Sequence, residues 1–374
     1  MHYFSTYFSA IASFFSAFLM ACFAIPRIIY VAKKKRLLDR PDNNRKVHTR
    51  VIPNLGGIGI FFAYIISSSL FVNPVAFPDW SYMSAATMLL FFAGAKDDLV
   101  ELSPYKKFLA QALTAAIVVY FAGIRIDSLH GLFGVYDIPA WFGSVFTIVG
   151  CVFVTNAFNL IDGIDGLAGS ISLLASLVLG CVFFSGSAYS EAILCFSLGG
   201  AIGGFLLFNK PPARIFMGDT GSLIIGFTLA VLCVLVVSRV NDAPQNFKVV
   251  HSPVGALLLS LAVLFVPLFD TFRVFTVRIM KGHSPFKADR THLHHYLLDL
   301  GFSHGKAVLI LIGANLFILA VAYLLQDINA HLAIMTMIIV AFGLFLILFF
   351  LRHRKIDPHI KPIRKLIPRR EPVS

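Results

Sequence analysis

Apolar runs of about 20 residues, separated by short polar stretches, repeat along the whole chain. A membrane-crossing helix needs about 20 mostly apolar residues. On that measure crossings are predicted near residues 4–30, 54–73, 81–96, 108–123, 142–161, 167–185, 190–208, 219–238, 254–276, 306–325 and 331–351. The expected fold is therefore all-α and polytopic, with about eleven transmembrane helices, the third and fourth being the shortest. No repeat period stands out, so an inverted-repeat transporter architecture has no support. The pattern Gly199-Gly200-x-x-Gly203-Gly204 predicts close packing of one helix against another.

The basic residues test this count. One alternating set of loops holds Lys33 to Arg36, Arg40, Arg45, Lys46 and Arg50, then Lys96, Lys106 and Lys107, then Lys210 and Arg214, then the 278–306 stretch and the tail from Arg352 onward. The other set holds only Arg125, Arg239 and Lys248. Cytoplasmic loops carry the excess of Lys and Arg. The N-terminus is thus expected outside and the C-terminus in the cytoplasm, and one missed or extra helix would scramble the asymmetry. The first apolar run has its positive cluster after it and is too long for a signal-peptide core, so it reads as a retained helix. Residues 1–351 are expected to form one integral membrane domain and 352–374 a basic cytoplasmic tail meeting anionic lipid.

Composition agrees. The chain has 374 residues, 58% of them hydrophobic and only 13% charged, and its mean hydropathy is +0.82; a soluble chain has about 25% charged residues. The net charge of +12 could suggest nucleic acid, but its confinement to short loops points to topology, headgroups and phosphates, and a nucleic-acid partner is not expected. Cys22, Cys151, Cys181, Cys195 and Cys233 all lie in apolar runs without C-x-x-C spacing, so they read as small apolar residues.

Against this background the position of each acid is informative. Asp97 and Asp98 close one apolar run. Asn156, Asn159, Asp162 and Asp165 recur every three residues as another ends, which places neighbouring members on one side of a helix. Gly163 and Gly166 loosen that helix end. Asp219 opens a further apolar run in Phe216-Met217-Gly218-Asp219-Thr220-Gly221-Ser222. All of these fall on the predicted cytoplasmic face. Any one of them could simply cap a helix or end a loop. Carboxylates gathered on one membrane face suit a hard divalent cation, which commonly takes one or two carboxylates plus substrate phosphates. That arrangement suits phosphoryl-type transfer.

Basic candidates lie on the same face. Lys107 follows the acid pair. The segment Lys281 to His295 places His292, His294 and His295 beside Arg290; its spacing fits no standard zinc site, and phosphate or nucleotide contact is the favoured reading over a structural loop. Asp270 and Arg273 lie at i, i+3 in an apolar run, where a buried ion pair and a substrate contact are equally open. Neither a Walker A sequence nor G-x-G-x-x-G occurs, which removes ATP-driven and dinucleotide readings. An ion-coupled transporter is the rival class, but its acids would lie near the membrane midplane.

Taken together, Asp39-x-Pro41, Arg45-Lys46-x-His48, Pro53-x-x-Gly56-Gly57, Gly94-Ala95-Lys96-Asp97-Asp98, Asn156 through Leu167, Phe216 through Ser222, and Ala288-Asp289-Arg290-x-His292-x-His294-His295 resemble the polyprenyl-phosphate N-acetylhexosamine-1-phosphate transferases. The match runs in order over roughly residues 25–305 and leaves the last two helices without a motif. Leu293, which interrupts the histidines, favours the N-acetylhexosamine branch over the branch that acts on muramoyl-pentapeptide. The resemblance implies transfer of N-acetylglucosamine-1-phosphate from UDP-N-acetylglucosamine to undecaprenyl phosphate. UMP would be released, with Mg2+ as cofactor and Mn2+ as an alternative. This would begin O-antigen, common-antigen or another cell-envelope polysaccharide in a bacterial inner membrane. Another UDP-N-acetylhexosamine is the alternative donor, and a homodimer is left open. By the same resemblance Asp219 and Asp98 are expected at the metal, and Asp97, Asp98, Asp219 and His292 at the chemistry. Lys107, Asn159, Asp162, Asp165, Arg290, His294 and His295 are expected at the nucleotide-sugar. Direct attack and a covalent aspartyl intermediate both remain open, as does which of Asp97 and Asp98 acts as base.

Overall fold

The computed structural model describes residues 2–35, 37, 52–284 and 291–355. Among these residues the regular structure is helical, with an isolated antiparallel bridge from Ser128 to Asp137 in a short hairpin. The helices are α1 (His2–Lys35), α2 (Gly56–Phe71), α3 (Trp80–Val100), α4 (Pro104–Phe121), α5 (Ala140–Ile161), α6 (Leu167–Ser185), α7 (Tyr189–Asn209) and α8 (Gly218–Asp242). They continue with α9 (Pro253–Val263), α10 (Phe265–Met280), α11 (Leu293–Asp299), α12 (His304–Leu325) and α13 (Ala330–Lys355).

Helix α8 is the axis of the bundle. Its residues Thr220 to Cys233 are buried without interruption, enclosed by α2, α3, α5, α6 and α9. It is apolar all round, as a helix must be when no face meets a polar medium. Helix α1 lies along α7, and small residues set the distance. A Cβ on Gly200 would stand 2.1 Å from the Phe14 carbonyl oxygen, and one on Gly204 2.6 Å from that of Phe18. The glycine pattern of α7 is thus a packing seam, as expected.

Seven of these helices are long and apolar enough to cross a membrane. The expected crossing at 254–276 is instead broken: α9 and α10 meet at Leu264 with a bend of 72°. Pro267 explains the break, since it lacks an N–H and its ring collides with the carbonyl four residues earlier. The freed groups are not left unpaired. Asn315, fully buried on α12, donates to the Ala262 carbonyl at 3.2 Å and accepts from the Val266 N–H at 3.2 Å. The helices at the expected third and fourth crossings, α3 and α4, are longer than their apolar runs because they continue through the charged residues Lys96 to Asp98 and Lys106 to Lys107, and they are not among the seven.

The alternation of helix directions brings one set of ends together. The C-terminal ends of α3 and α5 meet the N-terminal ends of α4 and α8, and His304 at the start of α12 lies against Asp165 just past α5.

Candidate active site

The site is built on the junction of α2 and α8. Backbone hydrogen bonds from Phe216 to Pro53, Gly56 to Phe216 and Gly57 to Met217, of 2.9, 2.9 and 2.8 Å, lace segment 53–57 to the residues before α8. Gly218 follows with φ +72°, and a Cβ there would stand 2.5 Å from the Asn54 carbonyl and 2.7 Å from an Asp98 oxygen. Conformation and space both demand glycine at this point. Asp98 reaches across from α3 and accepts from the Asp219 N–H at 2.8 Å, the Thr220 N–H at 3.0 Å and the Thr220 hydroxyl. An anion on exposed N–H groups at a helix N-terminus stabilises that helix start. Asn54 adds a further contact to Asp98 at 3.4 Å.

With Asp98 engaged by α8, Asp97 and Asp219 face each other. The Lys107 ammonium bridges them, 2.6 Å from Asp97 and in closer contact with Asp219. Asn159 donates to the other Asp219 oxygen at 2.6 Å and to the Ser222 hydroxyl at 3.0 Å. Gln111 and Asn156 brace α4 against α5 through a 2.6 Å bond. The Asp97 side chain is 7% exposed, whereas those of Lys107 and Asp219 keep 22% and 26%. The cluster is therefore closed behind Asp97 and open in front of Lys107 and Asp219.

The end of α5 supplies the next acids. Asp162 is half-buried, and its carboxyl is pushed up to about 7, first by burial and then by the charges of Asp219, Asp98 and Asp165. Asp165 is buried and turned to the 209–215 loop, where it accepts from the Ala213 N–H at 3.1 Å and lies 3.5 Å from His304. Asn209 completes that clamp, accepting from Gly166 and donating to the Ile215 carbonyl, both at 2.9 Å. The histidines pack on this corner. A Cβ on Gly163 would stand 2.6 Å from His294 Nε2, so glycine makes room for the ring. His294 is 2% exposed, and its Nε2 has no hydrogen-bond partner among the described residues. Its pKa is lowered to about 3, mainly by burial and then by His295. The rings of His292 and His294 are parallel with centroids 5.7 Å apart, and His295 lies 4.2 Å from His294.

The predicted residues Asp97, Asp98, Lys107, Asn159, Asp162 and Asp219 thus converge, and His294 adjoins them through Gly163. Asp98, expected beside Asp219 as a metal ligand, is directed at the α8 N-terminus, and Asp97 takes the position facing Asp219. Asp165 is occupied by loop contacts, and His292 faces Asp270 at 3.0 Å. Arg290 lies outside the described residues, as do Asp39, Pro41, Arg45, Lys46 and His48. Sequence reasoning missed Asn54, Thr220, Ser222 and His304. Thr220 and Ser222 stand inside a motif already noticed, whereas His304 opens α12 with no pattern around it. A cavity of about 320 Å3 between α5, α8 and the α9–α10 bend has mostly apolar walls and includes none of these residues.

Acids and a lysine gathered at the open end of an apolar helical bundle can hold a cation and receive anionic groups, as a membrane-embedded transferase of phosphorylated substrates requires. The sequence profile of glycosyl transferase family 4 matches residues 80–237. An undecaprenyl-phosphate alpha-N-acetylglucosaminyl 1-phosphate transferase of Yersinia pestis is 35% identical over 76% of each chain. A probable undecaprenyl-phosphate N-acetylglucosaminyl 1-phosphate transferase of Bacillus subtilis is 30% identical over 96% of this chain and 97% of its own. A transferase of the first name from Escherichia coli K12 is 32% identical over 91% and 90%. The chain belongs to glycosyl transferase family 4.

Proposed function

We propose that this protein transfers N-acetylglucosamine-1-phosphate from UDP-N-acetylglucosamine to undecaprenyl phosphate, giving undecaprenyl-diphosphate-N-acetylglucosamine and UMP. The observation that carries the reading is the opposed pair Asp97 and Asp219 with Lys107 between them, at the open end of the bundle. The activity named for the relatives in three bacteria supports the same substrates.

In this reaction an oxygen of the lipid phosphate attacks the β-phosphorus of the nucleotide-sugar, and the bond from that phosphorus to the UMP oxygen breaks. Lys107 meets the diphosphate by charge-assisted hydrogen bonds. Asn159 and Ser222 hold the Asp219 carboxylate in place, and Asp98 holds the start of α8 from which Asp219 projects. Asp97 and Asp219 suit Mg2+: their oxygens are hard donors, and among the described residues no group of three acidic, His or Cys side chains forms a complete metal site. A cation here would be completed by substrate phosphates, the usual habit of Mg2+. When bound, Mg2+ would offset phosphate charge and stabilise the departing UMP.

The setting is a bacterial inner membrane with the site on the cytoplasmic face. Seven helices, or eight if α9–α10 are one span, are long and apolar enough to cross; the eleven-crossing reading also counts α2, α3 and α4 and takes the seven-residue α11 as none. The N-terminus is then outside, consistent with the basic loops. The test is incubation of purified protein with undecaprenyl phosphate and either UDP-N-acetylglucosamine or UDP-N-acetylgalactosamine. Mass spectrometry should find the diphosphate-linked N-acetylglucosamine lipid and stoichiometric UMP. Transfer of only the galacto sugar would overturn the donor assignment, and absence of any sugar-bearing lipid would overturn the reaction.

A further inference from the structure

The histidine loop is anchored by a buried polar group that the proposed chemistry leaves unused. Asp270 and Arg273 lie one turn apart on α10 and are 1% and 6% exposed. One Asp270 oxygen lies 3.0 Å from His292 Nδ1. The other accepts from the Leu293 N–H at 3.0 Å and from the Arg273 guanidinium at 2.8 Å. Arg273 also donates to the Thr291 carbonyl. Its guanidinium lies between the rings of Tyr296 and Phe345, 5.3 and 4.9 Å from their centroids. Phe345 belongs to α13, so a helix without a motif of its own braces the loop. The alternatives left open by the sequence are decided here: Asp270 and Arg273 form a buried ion pair, and that pair grips the segment 291–293.

The hydrogen-bond partners determine the tautomer of His292. A carboxylate paired with Arg273 is ionised and can only accept. The Nδ1 atom must therefore carry the proton shared with Asp270. In the neutral ring this leaves the lone pair on Nε2, which has no hydrogen-bond partner among the described residues. The ring lies parallel to that of His294, which rests on Gly163 beside Asp162. His292 thus stacks on the histidine that packs against Gly163 at the end of α5. A bare lone pair would repel a phosphate oxygen, which is itself an acceptor; it matches a hydroxyl or amide N–H.

We propose that Asp270 is a positioning residue that locks His292 with Nε2 as a hydrogen-bond acceptor, and that Nε2 recognises an O–H or N–H donor on the nucleotide-sugar instead of its phosphates. Arg273, held by Tyr296 and Phe345, keeps Asp270 ionised and in register. The inference rests on the sugar-phosphate transfer reading.

In Asp270→Asn the carbonyl oxygen of the amide takes the place that faces Arg273 and Leu293. Its NH2 then faces Nδ1, reversing the tautomer and turning Nε2 into a donor. Steady-state kinetics of the purified protein should show KM for UDP-N-acetylglucosamine raised about tenfold or more, with KM for undecaprenyl phosphate unchanged and kcat within about threefold. A merely structural role would lower kcat or stability and leave that KM in place, and this result would overturn the proposal. Should Asp270→Asn fail to fold, His292→Gln and His292→Phe replace it. Glutamine can offer a carbonyl near the Nε2 position and should raise the KM for UDP-N-acetylglucosamine much less than phenylalanine, whereas equal effects would overturn the proposal. Product formation by the wild type reports separately on the reaction: no lipid product would refute the transfer, while the ratio of KM values refutes the role of Asp270.

Discussion

The two ends of α8 carry acids under opposite conditions. At its C-terminal end Arg239 pairs with Glu191 of α7 at 2.6 Å, and its guanidinium lies 5.9 Å from the Phe77 ring. Asp79, beside this pair, has its carboxyl raised by burial, which the charge of Arg239 opposes. Glu191 there is answered directly by Arg239, and the cation at a helix C-terminus also suits the helix dipole. At the N-terminal end, Asp97, Asp98, Asp162 and Asp219 crowd together and Lys107 is the cation that bridges two of them. An acid in direct contact with its own cation, as Glu191 is with Arg239, holds helices together. Acids in excess, facing an opening, cost stability unless a cation and an anionic substrate arrive. The difference separates structure from function more sharply than the presence of acids in an apolar chain.

The largest effect that would sharpen this contrast is at Lys107. Lys107→Met leaves Asp97 and Asp219 opposed without compensation and removes the charge that meets the diphosphate. UMP release should fall by roughly 10²-fold, the scale of about 2.7 kcal/mol of lost transition-state stabilisation. Melting temperature in metal-free buffer should fall as well and recover on adding Mg2+. Unchanged turnover would break the distinction between the two ends.

At the other end, Glu191→Gln removes the partner of a half-buried arginine. Unfolding in detergent should become easier by about 1–3 kcal/mol, while kcat and both KM values stay within about twofold. A tenfold loss of turnover at equal stability would mean that the outer pair also serves the reaction.

These contrasts were only partly legible in the sequence. The acids and their shared face could be read because charge inside apolar runs is costly and therefore conspicuous. The role of each acid could not. Asp97 and Asp98 are neighbours in the chain, yet one faces Lys107 and the other the α8 N-terminus, and only the docking of α3 on α8 separates them. Asp165 continues the three-residue spacing of Asn159 and Asp162 but is turned to Ala213 by the end of α5 and the positive φ of Gly166. The bend at Leu264 had a signal in Pro267, masked by the uninterrupted apolar run around it. Asn315, which satisfies that bend, stands alone in an apolar helix and gives no pattern at all.

A smaller effect concerns the histidine corner. His294 has its folded pKa near 3 against an unfolded value of about 6.5. Between these values the unfolded chain binds more protons, so stability is full above about pH 6.5 and is lost as the pH falls. From pH 7 to pH 5 the loss attributable to His294 should approach about 2 kcal/mol. Asp162 acts in the opposite sense, because its raised carboxyl makes folding less favourable as the pH climbs toward 7. The measurement is therefore the difference between wild type and His294→Gln in thermal unfolding across pH 5–7.5. A difference that does not vary with pH would place the ring in water and away from Gly163.

The most direct test of the acid end of α8 is Asp219→Asn, assayed for UMP release across a Mg2+ titration with thermal stability followed in parallel. Asparagine and aspartate are comparable helix caps, so a capping role predicts normal turnover at ordinary Mg2+. A cation held by Asp219 predicts near-normal folding, turnover lower by about 10²-fold or more, and only partial recovery at high Mg2+. Near-wild-type turnover without added metal would contradict the account.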